Sequence, residues 1–172
     1  MIQRIQTLYL LLVVILGTLL CIFSPVEFLL PGATDYVSLH ALDKWPLAVM
    51  SIAIPLLALV TIGLYKRRLL QVRLNIMNVV LCLGYYALLA LYVAYIVKGY
   101  EPLDVHHLPL EGVEFSPSKG ELEGISWYLT MWSAIPLVNV VLTMMATRRI
   151  LKDEALVRAA DRRDLRLLRT DT

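Results

Sequence analysis

The residues of this chain whose types invite chemistry are three histidines, two cysteines and three asparagines. His106 and His107 are adjacent, with Glu101, Asp104 and Glu111 close by. Imidazoles with carboxylates are a zinc or copper donor set. Neighbouring residues on an extended chain point to opposite faces, however, so this pair is poorly placed to chelate one ion. His40 would complete a site only if two loops packed together. A polar loop is the simpler reading. All three histidines fall outside the apolar runs, so no helix pair offers haem two axial ligands. Cys21 and Cys82 fall at depths roughly 12 Å apart at 1.5 Å of rise per residue. That is too far for a disulfide, and both read as inert thiols. No phosphate-binding glycine loop, CxxC, HExxH or GxSxG is present. The expectation is therefore no catalytic residue, no cofactor and no metal.

The elements that hold these residues are set by composition. Of 172 residues, 59% are hydrophobic and 17% charged. Soluble domains lie nearer 45–50% apolar and about 25% charged. Four runs, Ile5–Phe23, Trp45–Tyr65, Leu74–Val97 and Ile125–Thr147, contain no Asp, Glu, Lys or Arg. Each approaches the ~20 residues that a helix needs to cross a bilayer. In hydrocarbon the backbone must bond to itself, which makes these runs helices. The first is read as a retained helix and not a signal peptide, because no small-x-small cleavage site follows it. Leu20 before Cys21 likewise disfavours a lipoprotein cysteine. The expected fold is an all-α membrane protein: a four-transmembrane-helix bundle over residues 1–149, with outer loops at 24–44 and 98–124. A charged helical tail occupies 150–172.

Orientation follows from basic residues. Of the sixteen Lys and Arg, only Lys44, Lys98 and Lys119 fall in the outer loops. Both termini are therefore expected in the cytoplasm. Lys66, Arg67, Arg68, Arg148 and Arg149 would meet anionic lipid headgroups at the inner face.

The chain also suggests a hairpin written twice. "AIPLL" at Ala53–Leu57 and "KRRLL" at Lys66–Leu70 are echoed by "AIPLV" at Ala134–Val138 and "TRRIL" at Thr147–Leu151, both at an offset of 81. Two such units would be related by an axis along the membrane normal. Common membrane-helix grammar explains the same pattern without duplication. In either case Pro55 and Pro136 should kink the second and fourth helices. The second loop is acidic and broken by Pro and Gly, and "HHLPLEGVEFSP" alternates enough for short strands.

Asn75, Asn78 and Asn139 are the amides within the apolar runs. Asn78 and Cys82 are four apart and share a helix face. Amides in lipid mostly tie helices together; a ligand site is the alternative. The chain ends in "ILKDEALVRAADRRDLRLLR", residues 150–169, which has no Gly or Pro and favours helix. At helical period Lys152, Arg158, Arg162, Arg163, Arg166 and Arg169 fall on one side. Asp153, Glu154, Asp161 and Asp164 fall on the other, with Ile150, Val157, Ala160 and Leu168. Glu154 and Arg158 can pair at the border. Three readings of the tail stand open. Its basic face lies on the inner leaflet and its acidic–apolar stripe meets a protein; or it is a solvated extension of helix 4; or its arginines bind nucleic acid, the disfavoured reading.

The opening "MIQRIQTLYLLL" and the tail "RRILKDEALVRAADR" resemble a family of small four-helix integral membrane proteins of Bacteroidetes-type bacteria, a domain of unknown function. The resemblance is carried most by Lys152–Arg158 with Asp161 and Arg162. The family tail commonly ends Asp-Arg-Leu-Arg where this chain reads "DRRDLR". The resemblance implies a bacterial inner-membrane protein and brings no activity with it. Function is expected to be that of a non-enzymatic accessory or scaffold subunit, docking another membrane or cytoplasmic protein through the tail and the acidic outer loop. A small channel or transporter built from two hairpins is the alternative, and a membrane enzyme acting on lipid or quinone the second.

Overall fold

The structure, a computed structural model, describes residues 3–29, 36–64, 67–98 and 126–170. Helix α1 spans Gln3–Ile22 and is followed by strands β1 (Val26–Leu29) and β2 (Tyr36–Leu39). Helices α2 (Trp45–Gly63) and α3 (Arg68–Val97) come next. Strand β3 (Ser126–Leu129) and a 3-10 turn at Met131–Ala134 lead into α4 (Ile135–Thr170). Four helices among the described residues are long and apolar enough to cross a membrane.

The helices pack in a ring, α1 against α2, α2 against α3, α3 against α4 and α4 back against α1. The outside of the ring is apolar: Leu8, Ile52, Leu56, Met77, Val80 and Val141 are all more than half exposed. The inside holds Ser51, Thr61, Asn75, Asn78, Asn139 and Thr143, all buried. A water-soluble bundle distributes its residues the other way round, and an apolar belt of this extent marks a surface that water does not face.

The three strands form an antiparallel sheet in the order β2-β1-β3 across one end of the ring. Alternation explains it. Val26 and Phe28 of β1 and Val37 and Leu39 of β2 are buried, while their neighbours point outward. Phe28 sits opposite both Val37 and Trp127. Leu20, Val26, Phe28, Leu39, Leu47 and Leu89 form one cluster, so the sheet closes this end with an apolar plug. Phe23 stacks on Trp132 with ring centroids 3.8 Å apart. Thr130 donates its hydroxyl to the Ser24 carbonyl at 2.7 Å, which ties the start of the last helix to the end of the first.

Several sequence expectations change. Residues 126–129 are strand, so the fourth helix starts at Ile135 and not near 125. Pairing with the open edge of β1 satisfies the backbone groups along one side of "SWYL", whose side chains are all exposed. Pro136 consequently lies in the first turn of α4, where its missing N–H has no intrahelical partner to lose, and it is not a mid-helix kink. Pro55 does lie inside α2 and leaves the Ser51 carbonyl without its helical donor. The third helix starts six residues earlier than its apolar run, at Arg68. Cys82 is therefore near its middle. The described strands lie in the first loop and just before α4; the segment "HHLPLEGVEFSP" lies outside the described residues.

Candidate functional site

The end of the ring opposite the sheet is polar. α4 runs without interruption through the tail, and the acidic–apolar stripe starts against the bundle. Ile150 is buried, and Asp153 and Glu154 are half-buried. Gln6 of α1 donates its side-chain amide to Asp153. The Glu154 carboxylate accepts from Arg158 Nε at 3.0 Å, the i,i+4 pair that the spacing suggests, and lies 3.9 Å from Arg68 of α3. Val157 lines a groove of about 560 Å³ with Arg67, Arg68, Arg73 and Glu154. Three guanidinium groups against one carboxylate leave that groove positive. Arg68 Nη1 is buried with no hydrogen bond among the described residues. Guanidinium forks of this kind suit phosphate or carboxylate oxygens.

Arg148, Arg149, Lys152 and Arg158 are exposed on the same helix; Arg158 sits beside Glu154 at the border of the acidic–apolar stripe, and helical period puts Lys152 and Arg148 on the far side from it. Asp161, Arg162 and Asp164 lie on the continuing helix, with side chains outside the described residues; Lys66 is outside them altogether. His40 is engaged locally. Its backbone N–H donates to Asp43 at 2.8 Å and its ring meets Ser38 at 3.1 Å. His106 and His107 lie outside the described residues. Both cysteines are free thiols.

A second polar zone lies in the middle of the ring. Gln71, Asn75, Asn78, Cys82 and Tyr85 share one buried face of α3. Asn139 and Thr143 are buried on α4, which packs against α3. Two contacts fix the register of this antiparallel pair. At one end Arg68 meets Glu154; at the other the Leu137 N–H donates to Tyr86 Oη at 3.1 Å. Between these points the two helices run almost equal lengths. Asn78 is therefore level with Thr143, and Cys82 with Asn139. Neither amide atom of Asn75, Asn78 or Asn139 has a hydrogen-bond partner among the described residues, nor do the hydroxyls of Thr143 and Tyr85. An orphaned buried polar group costs about 1–3 kcal/mol. Five such side chains gathered along one seam call for an explanation. Sequence reading found the asparagines and the shared face of Asn78 and Cys82. It missed Thr143 and Tyr85; extending the α3 pattern by one more turn would have reached Tyr85.

A third feature lies near the sheet end. Tyr86, Leu89, Val93, Trp127 and Leu129 line an apolar groove of about 760 Å³ with Lys98 at its edge. The Tyr86 hydroxyl donates to the Ser133 carbonyl at 2.6 Å and accepts from Leu137. It thus caps the start of α4, which has four backbone donors of its own to satisfy.

The profile of one family, described as a domain of unknown function (DUF4293), matches residues 2–110 and 112–162, nearly the whole chain. The chain belongs to the DUF4293 family. The match covers all four helices of this DUF4293 protein and the tail as far as Arg162. The chain matches no curated protein and no solved structure.

Proposed function

We propose that this protein is a non-enzymatic accessory or scaffold subunit of a bacterial inner-membrane assembly, with both termini in the cytoplasm. The observation that carries this reading is the unbroken α4 of 36 residues. At 1.5 Å per residue it is about 54 Å long, against a hydrocarbon core of ~30 Å. Its packing on the ring fades after Glu154, and Ala155–Ala159 are exposed. The rest is a helical arm, on which helical period would sort carboxylates and arginines to different sides. Asp153 and Glu154 anchor its root. Asp161, Arg162 and Asp164, further along the same helix, would meet a partner protein. Arg67, Arg68, Arg148 and Arg149, with Lys66, would hold anionic lipid headgroups around the root.

Affinity capture after cross-linking in native membranes tests the reading. The wild-type chain should bring down a stoichiometric partner, and Asp161→Lys with Asp164→Lys should lose it while inserting normally. Unchanged association in that variant would reduce the arm to a solvated cap. The channel or transporter reading is favoured by the uncharged polar seam alone. The displaced Pro136 weakens its second support, since the two hairpins then place their prolines differently.

A further inference from the structure

The docking reading makes no use of the seam between α3 and α4. Asn75 and Asn78 are 1% exposed, and Asn139 and Thr143 are fully buried. Helix–helix glue would pair these amides across the interface. Here each amide stays unpaired although Asn78 and Thr143 are level. Each asparagine presents two N–H donors and a carbonyl acceptor, and the Thr143 and Tyr85 hydroxyls both donate and accept. A partner for them must do both. It must be neutral, because no Asp, Glu, Lys or Arg lies at this depth to balance an ion. It must also be small, because the seam is enclosed by four packed helices.

We propose that the Asn75–Asn78–Asn139–Thr143 seam binds a short file of water molecules inside the membrane-spanning bundle, ending at Tyr85. Water is the small neutral molecule with donors and acceptors in balance, and buried water characteristically makes two to four bonds to such groups. The polar face of α3 continues from the seam through Gln71, whose amide donates to the Thr61 carbonyl at 2.9 Å, to Arg68 at the tail end. Toward the sheet it stops at Cys82 and Tyr85, which pack into the apolar cluster of Leu20, Leu47, Phe28 and Leu89. The file is therefore supplied from the tail end and sealed from the sheet end.

Radiolytic hydroxyl-radical labelling of the full-length protein in lipid nanodiscs tests this, because radicals form at bound water and modify what touches it. Corrected for the higher intrinsic reactivity of thiol and phenol, Cys82 and Tyr85 should be modified several-fold faster than Phe28, which is equally buried in the same cluster but belongs to the sheet and not to the polar seam. Asn78→Leu and Asn139→Leu should bring both rates down toward that of Phe28, and Asn78→Ser should largely restore them. If Cys82 and Tyr85 in the wild-type protein label as slowly as Phe28, the seam is dry and the proposal fails, whether or not any variant folds. Unchanged rates in the folded Leu variants overturn it equally.

Discussion

Gly17 of α1 lies directly against the ring of Pro55 in α2. A Cβ added at Gly17 would stand 3.1 Å from both Cβ and Cδ of the proline. That is tighter than most packed carbons sit, and the proline ring cannot turn away. The helix that carries a proline is thus met by a neighbour with no side chain, and the two backbones approach closely. Gly17→Ala should lower the thermal midpoint in detergent, by the equivalent of about 1–3 kcal/mol for an overpacked core. Gly17→Ala combined with Pro55→Ala should recover part of the loss. A strictly additive double variant would show that the two residues do not meet.

The root of the arm should respond differently from its tip. Glu154→Lys removes the partner of Arg68 and Arg158 and places a fourth cation in the groove. The pair is partly exposed, so its loss is worth about 1 kcal/mol or less. The clearer signal is hydrogen exchange, which should quicken in α4 beyond Ile150. Asp161→Lys should leave exchange before Glu154 untouched.

The arginine groove should select lipids by charge. Native mass spectrometry should show phosphatidylglycerol or cardiolipin retained in preference to phosphatidylethanolamine. Arg67→Gln with Arg73→Gln should abolish the preference without releasing bulk lipid. Free inorganic phosphate competing as well as the lipids would identify a headgroup-only site.

Tyr86→Phe removes one hydroxyl that serves two backbone groups, the Ser133 carbonyl and the Leu137 N–H. Loss of such a cap costs about 1 kcal/mol. Exchange should quicken in the first turn of α4, with the tail end unaffected.

Reporter fusions after Arg68 and after Thr172 should read cytoplasmic, and one near Glu111 should read periplasmic. A cytoplasmic signal at Glu111 would reverse the orientation and move the arginine groove and the arm to the other side of the membrane.

What the sequence determined by itself is whatever depends on near neighbours along the chain. Uninterrupted apolar runs make helices because a backbone in hydrocarbon must bond to itself. An unbroken stretch of helix formers after Arg149 continues the helix, and Glu154 finds Arg158 because four residues make about one turn. The shared face of Asn78 and Cys82 follows from the same period. Only the tertiary structure decided what depends on partners far away. Residues 126–129 are strand because β1, about a hundred residues earlier, offers an edge, and that pairing moves Pro136 from mid-helix to a helix start. Asp153 turns inward because Gln6, 147 residues away, is there to donate to it. Thr143 and Tyr85 join the asparagines because packing sets α3 and α4 in antiparallel register. Helical period places a side chain on a face, but which face is buried, and against what, is fixed when the ring closes.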